Sequence, residues 1–214
     1  MKSFGPTPAL RGADITVAAG EVVAVMGPSG SGKSTLLHCL AGILLPDSGE
    51  VWFDGQRIDS LPEPARSQLR RARFGFVFQF GQLVPELPAL ENVMLPLLLA
   101  GHRIRPARAV ASTLLDRLEM SGLQRRRPGE LSGGQAQRIA VARALVAQPT
   151  VIFADEPTGS LDTLAGEMVM DLLVDRARDQ GASVVLVTHD ARVASFADRV
   201  VVVRDGVASA LAAA

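Results

Sequence analysis

The feature that most constrains this chain is a glycine-rich segment between an apolar run and a helical pattern. Gly27 to Thr35 reads GPSGSGKST and fits the pattern G-x-x-x-x-G-K-[ST]. The five apolar residues 22–26 before it are typical of a buried parallel strand, and the leucines after it recur at helical spacing. A strand, a glycine turn and a helix start in this order direct backbone N–H groups to one point. The segment therefore predicts a phosphate-binding loop in an α/β fold, although a glycine-rich turn can match the pattern by chance.

The residue types of this loop each have a use in binding phosphate. Glycines let the backbone turn tightly and approach a ligand with no Cβ in the way. Lys33 is expected to reach the β- and γ-phosphates of a nucleotide, and the hydroxyl of Ser34 is expected to ligate Mg²⁺. The other residues expected to line the nucleotide site are Gly27, Pro28, Ser29, Gly30, Ser31, Gly32 and Thr35.

Composition excludes several classes of protein. Lys plus Arg and Asp plus Glu both number 22, and this balance argues against a protein built to hold nucleic acid. Cys39 is the single cysteine, which rules out an internal disulfide and predicts a small core residue in a reducing compartment. No apolar run approaches the ~20 residues of a membrane span, and the first residues lack a signal-peptide pattern. We therefore expect any membrane role to depend on a partner.

Strand and helix patterns alternate at both ends of the chain, and the middle is mostly helical. The pattern predicts one domain over 1–214, with a core of 1–78 and 148–214 and a helical subdomain over 79–147. At this stage Met1 to Thr7 is predicted to be irregular, Ile15 to Val17 a strand, Glu50 to Gly55 a hairpin and Val200 to Val203 the final strand.

Three stretches between the strands carry helical or ambiguous patterns. Leu61 to Arg73 is predicted to be helical with a solvated basic face formed by Arg66, Arg70, Arg71 and Arg73. Pro106 to Glu119 is predicted to be an amphipathic helix with Val110, Leu114 and Leu118 on its apolar stripe. Met168, Val169, Leu172 and Leu173 mark one face of a later helix, whereas Leu83 to Leu99 shows no clean period.

Polar residues follow three of the predicted strands. Asp155 and Glu156 end the run 151–154, at the carboxyl edge where ligands bind in α/β sheets. Asp155 is placed to hold Mg²⁺, and Glu156 is placed to take a proton from an attacking water. The alternative is a surface turn, which the phosphate-binding loop makes less favourable. Gln79 and His189 also end strands, but position alone does not distinguish them from ordinary polar termini.

A second anion site is predicted at Leu131 to Gln135, which reads LSGGQ. Ser132 is a candidate N-cap, and Gly133 and Gly134 expose backbone N–H groups at a helix start. One nucleotide does not need two such sites. Here the sequence resembles the ATP-binding-cassette ATPases, whose signature motif is LSGGQ. The resemblance covers nearly the whole chain in the family's order: the phosphate-binding loop, Gln79, the signature, Asp155-Glu156, Ser160-Leu161-Asp162 and His189.

The resemblance implies a fold and a mechanism. It implies a P-loop NTPase (RecA-like) core with a small antiparallel β subdomain and an inserted α-helical subdomain. It also implies ATP and Mg²⁺ as ligands, and two copies that sandwich two ATPs head to tail. The P-loop of one copy then faces Ser132, Gly133, Gly134 and Gln135 of the other.

The resemblance further implies roles for matching residues. Gln79 is expected to touch Mg²⁺ and sense the transport partner, and Asp162 to act across the dimer. His189 matches the switch histidine, which acts beside the catalytic Glu156 and Lys33. Phe4 matches the aromatic residue that stacks on adenine, which is usually tyrosine; stacking needs only a π face.

Within the family, the sequence looks most like the group that serves macrolide export, lipoprotein release, peptide-antibiotic resistance and cell division. Phe76-Val77-Phe78-Gln79-Phe80 is among the segments that carry this likeness. The resemblance implies an ATPase of bacterial type, held at the cytoplasmic face of the membrane by a permease with a large extracytoplasmic domain. One alternative left open is a mechanical or signalling module of the cell-division type. The other is a cassette acting on DNA or ribosomes; the lack of heptads between Lys33 and Ser132 disfavours the DNA-repair type, and the single cassette disfavours the ribosomal type.

The permease is expected to bind the region 79–100. Leu83 to Leu99 carries more apolar side chains than a short subdomain needs, and Pro85, Pro88 and Pro96 interrupt it. We expect a groove there for a cytoplasmic helix of the permease. The alternative is that these residues only pack the helical subdomain.

Overall fold

The strands of the protein form one large sheet and two hairpins. In a computed structural model, the residues described are 1–79, 81–159 and 161–210. Ser160 and Phe80, two residues of the sequence motifs, thus lie outside the described residues. The strands are β1 (Lys2–Phe4), β2 (Thr7–Leu10), β3 (Val22–Met26), β4 (Trp52–Phe53), β5 (Gln56–Arg57), β6 (Phe74–Val77), β7 (Val151–Asp155), β8 (Ser183–Val187), β9 (Arg199–Arg204) and β10 (Val207–Ala210).

Helices connect and cover these strands. They are α1 (Lys33–Leu40), α2 (Glu63–Arg73), α3 (Ala89–Leu99), α4 (Ile104–Arg117), α5 (Gly133–Leu145), α6 (Thr163–Asp179) and α7 (Ala191–Ala194), with a 3₁₀ turn at Pro128–Glu130. The large sheet has the order β10-β9-β3-β8-β7-β6, in which only β10 runs antiparallel to its neighbour. The chain is thus a P-loop-type α/β protein. Its phosphate-binding loop follows β3, which lies at the centre of the sheet.

Both faces of the sheet are buried, which explains why its central strands read as continuous apolar runs. One face packs against α5, α6 and α7 through residues such as Val141, Leu173 and Val193. The other face packs against α1 through Leu36 and Leu37. Cys39 belongs to this second cluster and is buried, as the sequence predicts. A third cluster joins α3, α4 and α5 and forms the core of the helical region.

The first and last strands correct the sequence predictions. Met1 to Thr7 is not irregular, because β1 pairs with β2 in an antiparallel hairpin. Val200 to Val203 is not the final strand, because β10 returns antiparallel beside β9. The antiparallel pairs of the described strands are thus β1–β2, β4–β5 and β9–β10. Short strands joined by glycine-containing turns produce weak sequence patterns. For this reason the β1–β2 and β9–β10 pairs were not predicted.

The strand predicted for Ile15 to Val17 is wrong, because the segment is irregular. Ala13, Ile15 and Val17 are half-buried and alternate with exposed neighbours, so the segment has the period of a strand. No strand of the described chain pairs with it. A cavity of about 550 Å³ lies between 14–19 and 50–54 instead. The alternation reports which face is buried and carries no information on whether a neighbouring strand is present.

Three helices differ from their sequence predictions. Leu83 to Leu99 contains α3, which includes Pro96 and buries Leu90, Val93, Met94 and Leu97. In α4, Ala107, Ala111 and Leu115 are buried; of the predicted stripe, Leu114 and Leu118 pack into the same cluster, whereas Val110 is exposed. In α6, Val169 and Leu173 are buried but Met168 is exposed. Small alanines can face a tightly packed neighbour, and a pattern search weighted towards large apolar residues misses them.

The basic face predicted on α2 is not simply solvated. Arg66 is buried and Arg70 is half-buried, and both form ion pairs with Glu63. Hydrogen bonds from Arg70, Ser67 and Arg66 lower the pKa of Glu63 to about 2. Arg70 also donates to the carbonyl of Gly42, 2.6 Å away. Arg70 thus ties α2 to the loop after α1.

Within the described residues, none of the helices combines the length and apolar character required to cross a membrane.

Candidate nucleotide site

The loop after β3 leaves several backbone donors unused. Among the described residues, the N–H groups of Gly30, Gly32, Lys33, Ser34 and Thr35 donate to no protein acceptor. The Nζ of Lys33 donates to the carbonyls of Gly27 and Pro28, each 2.9 Å away, and its side chain is buried. Unpaired N–H groups at a helix start, beside a buried ammonium group, form a cradle for an anion.

Two glycines of the loop cannot be replaced without strain. Gly32 has φ +103°, and a Cβ there would lie 2.3 Å from the carbonyl oxygen of Ala9. A Cβ on Gly27 would lie 2.1 Å from the carbonyl oxygen of Val203. The loop is thus enclosed by β2 on one side and β9 on the other. The hydroxyl of Ser31, in the same loop, is buried and has no partner among the described residues.

The structure brings Ser34 and Asp155 together although 121 positions separate them. The Oγ of Ser34 donates to Oδ1 of Asp155 across 3.1 Å. A hydroxyl and a carboxylate are the hard oxygen ligands that suit Mg²⁺, which commonly takes one or two carboxylates and completes its shell with water and substrate phosphate. The hydroxyl of Ser34 and the carboxylate of Asp155 therefore fit a metal held jointly by protein and nucleotide.

Glu156 and His189 form a pair beside this position. Nδ1 of His189 lies 2.7 Å from Oε1 of Glu156, and because an ionised carboxylate only accepts, Nδ1 carries the hydrogen. Glu156 has φ +46°, a conformation that costs a non-glycine residue roughly 1–3 kcal/mol. Its N–H donates to the carbonyl of Val187, which holds the turn against β8. A strained backbone fixed in this way directs the carboxylate rather than leaving it mobile.

Gln79 lies at the same edge. It follows β6, and its Nε2 lies close to Gly159: a Cβ added to Gly159 would be 2.9 Å from that nitrogen. Gly159 is three residues after Glu156, so the sheet brings the glutamine to the turn that carries the two acids. Two residues of α5 hold the segment: Gln137 donates to the carbonyl of Phe78, and Arg143 donates to the carbonyls of Gly81 and Gln82.

Sequence reasoning missed these supporting residues and one more. Gln137 and Arg143 are polar residues on the buried side of α5, and burial raises the cost of the guanidinium charge enough to lower the pKa of Arg143. Thr188 is buried and donates to Oε2 of Glu156 over 3.4 Å. The available signal was a hydroxyl or charged residue inside an otherwise apolar run, a pattern that usually marks a specific hydrogen bond.

The remaining predicted residues make no described hydrogen bond to this cluster. Phe4 lies in the β1–β2 hairpin and is 52% exposed, with Nζ of Lys2 5.9 Å from the centre of its ring. Ser132 caps α5 as predicted: its Oγ accepts from the N–H of Gln135, and Oε1 of Gln135 accepts from the N–H of Ser132. Asp162 caps α6 by accepting from the N–H of Ala165. No described hydrogen bond joins Ser132 to Gln135 with the loop 27–35.

Comparison with known proteins gives this arrangement a family. A family model described as ABC transporter matches residues 10–159. The chain belongs to the ABC transporter family. Its fold is that of solved ATP-binding cassettes. One of them is a dimeric cassette in a post-hydrolysis state bound to ADP and Pi, which superposes with a TM-score of 0.88. The two sequences are 39% identical, and the match covers 96% of this chain and 92% of that one. cbiO1 from Clostridium perfringens, described as part of an ABC transporter complex, gives a TM-score of 0.84 and 32% identity over 95% of this chain and 81% of that one.

Relatives of similar length carry a more specific name. The lipoprotein-releasing system ATP-binding protein LolD of Xanthomonas campestris pv. campestris strain 8004 is 48% identical, covering 94% of this chain and 84% of the relative. The protein of the same name from Porphyromonas gingivalis is 45% identical, covering 96% and 94%. These comparisons confirm the predicted family, the predicted group within it and the P-loop α/β fold. The protein is an ATP-binding ATPase of an ABC transporter.

Proposed function

We propose that this cassette powers lipoprotein release: it hydrolyses ATP as a head-to-tail dimer and couples hydrolysis to a membrane permease. The observation that carries the dimer is the separation of two anion-binding elements. The loop 27–35 has a metal-binding pair and an acid–histidine pair nearby, whereas Ser132 to Gln135 has a capped helix start and no described hydrogen bond to that loop. A second copy supplies the missing half of each site. The names of the relatives support lipoprotein as the cargo class.

The roles of the site residues follow from their contacts. Lys33 and the free N–H groups of the loop hold the phosphates, and Ser34 and Asp155 hold Mg²⁺, which supplies positive charge for phosphoryl transfer. Glu156 accepts the proton of the attacking water, and His189 fixes the orientation of that carboxylate. Gln79 reports the state of the site to the partner, Asp162 acts across the dimer, and Phe4 stacks on adenine.

Mixing two inactive variants tests the composite site. Lys33→Ala removes the phosphate contact, and Gly134→Asp places a negative charge at the signature. A Cβ on Gly134 meets nothing nearer than Ala165 Cβ at 3.7 Å, so the second variant is expected to fold normally. A mixed dimer has one intact site and one doubly defective site. ATPase activity of the mixture should therefore exceed that of either variant alone.

The controls are the two variants assayed separately, each at twice the concentration that it has in the mixture. A mixture no more active than the two controls would place both elements in one chain and overturn the head-to-tail dimer. ATPase activity of the wild-type cassette, measured in parallel, tests the enzyme assignment separately.

A groove between α2, α3 and α5 is the surface we propose for the permease. It has a volume of about 340 Å³ and an apolar floor that includes Phe76 and Phe78. Arg70, Arg71 and Arg143 line it, and no acidic side chain does so among the described residues. Leu99, at its rim, is 64% exposed. This combination fits an amphipathic helix that carries apolar residues and a carboxylate.

The groove refines the surface expected from the sequence. Leu83, together with Leu90, Val93 and Leu97, packs into the helical cluster, so the packing alternative holds for this part of the region. The exposed surface is at the far end of α3, beside Gln79's strand. Leu83 is thus a poor site for a charge substitution, since its loss would disturb the core.

Leu99→Glu tests the groove, with Val110→Glu as the matched control. Val110 is 49% exposed on α4 and does not line the groove. We expect Leu99→Glu to keep its fold and basal ATPase activity but to lose co-purification with its permease, whereas Val110→Glu keeps both. Normal co-purification of a folded Leu99→Glu protein would exclude this groove as the contact surface.

A further inference from the structure

A chain of polar contacts joins the start of α6 to the Glu156–His189 pair. Arg192, on α7, lies at its centre. Its Nη1 donates to Oγ1 of Thr163 across 3.2 Å, and its Nε and Nη2 donate to the two carboxylate oxygens of Asp190 at 3.4 and 3.0 Å. One guanidinium thus bridges two helix starts that belong to different loops of the sheet edge.

On one side, the contacts continue to the acid. The N–H of Asp190 donates to Oγ1 of Thr188 over 3.1 Å, and Thr188 in turn donates to Oε2 of Glu156. His189 lies between these two residues in sequence and contacts the other oxygen of Glu156. The position of Asp190 therefore determines how both Thr188 and His189 meet the carboxylate.

On the other side, the contacts reach the loop that ends in Asp162. Thr163 is the first residue of α6, directly after its N-cap Asp162. An open pocket of about 70 Å³ lies among Asp162, Thr163, Phe196 and Arg192. The pocket leaves a gap beside the first turn of α6, and the guanidinium of Arg192 makes a polar contact across it.

Stability alone does not explain the bridge. The side chain of Arg192 is 61% exposed, and ion pairs as open as this one contribute little to folding. Asp190 and Glu167 both raise the pKa of Arg192, so the charge is retained through neutral pH. A charged, bidentate contact of this kind adds little to stability, but it is suited to holding two loops in a fixed relative position.

We propose that Arg192 is a positioning residue that makes the orientation of Glu156 and His189 depend on the place of the Asp162 loop. Movement of that loop, which the second cassette contacts in the proposed dimer, is carried through Thr163, Arg192 and Asp190 to the acid. Hydrolysis in one site thereby responds to the presence of the partner. The inference rests on the proposed head-to-tail function.

Steady-state ATPase kinetics of four variants test the inference. Arg192→Met removes both contacts, Arg192→Lys keeps the charge but cannot bridge two acceptors, and Thr163→Val removes only the hydroxyl. Arg176→Met is the control, because Arg176 forms an i,i+3 ion pair with Asp179 at the exposed end of the same α6. We expect kcat to fall about threefold to tenfold in the first three variants with KM for ATP unchanged, and no change in the control.

The double variant Thr163→Val with Arg192→Met separates coupling from two independent defects. If the two residues act through one contact, the double variant is no slower than Arg192→Met. A kcat for Arg192→Lys equal to that of wild type, or additive losses in the double variant, would overturn the bridge. Glu156→Gln is assayed in parallel: if it abolishes turnover while Arg192→Met keeps the wild-type kcat, the proposed function stands and this inference falls.

Discussion

The phosphate-binding loop and the signature segment are both helix starts that offer backbone N–H groups, yet the chain surrounds them differently. The loop 27–35 is enclosed by β2 and β9, and Asp155 and Glu156 lie beside it on the next strand but one. Ser132 to Gln135 makes its capping contacts within its own first turn, and Ser132 is exposed. A Cβ added to Gly134 would lie 3.7 Å from Cβ of Ala165.

The difference indicates what each element needs from the rest of the molecule. The loop that carries the buried Lys33 is held by residues distant in sequence, among them Ala9, Val203 and Gly206. The signature is organised locally and can meet a ligand only from outside. In the proposed dimer, the first element should determine whether one chain binds ATP, and the second should matter only once two chains meet.

The largest effect is expected from Glu156→Gln, which alters chemistry without altering either element. The amide keeps the shape of the side chain but cannot accept a proton, so kcat should fall about 10²- to 10⁴-fold while ATP binding persists. Single-turnover hydrolysis and light scattering with ATP and Mg²⁺ are the measurements, and a shift from monomer to dimer is expected. Turnover at the wild-type rate would assign the proton acceptor to another residue.

A smaller effect separates the two elements directly. In Lys33→Ala, loss of charge-assisted hydrogen bonds worth about 1.5–3 kcal/mol should weaken ATP binding by one chain about 10- to 150-fold. Gly134→Asp should leave that affinity unchanged when the protein is dilute enough to be monomeric. Nucleotide titration of both variants checks this. Equal weakening in the two variants would mean that one chain uses both elements for the same nucleotide.

The smallest effect concerns stability. Ser132→Ala removes one arm of the capping box of α5 and should lower the free energy of unfolding by roughly 0.5–2 kcal/mol. Urea denaturation of the monomer measures it, with Ser195→Ala, at the C-terminal end of α7, as the comparison. If the two substitutions destabilise the protein equally, the signature is not held by its own cap.

Much of the core and of the site was predictable because the decisive patterns are local. The strand–glycine–helix order gave β3, the loop and α1, and the two acids after an apolar run gave the edge of β7. The β1–β2 hairpin, β10 and α3 were missed, because their patterns depend on neighbours that sequence spacing does not reveal. Likewise, Arg192 and Thr188 act through residues distant in sequence, and only the fold brings Thr163, Arg192 and Glu156 into one chain of contacts.

The enclosure of the loop also has a consequence for the order of folding. Gly32 packs under the carbonyl of Ala9, the N–H of Gly206 donates to the carbonyl of Ser31, and the N–H of Arg11 donates to the carbonyl of Gly206. These contacts close a circuit between positions 9, 31 and 206, almost the full length of the chain. Such closures have high contact order and are expected to form late. The capacity to bind nucleotide should therefore be the last property gained on refolding, after helical signals from α3 to α6 have already recovered.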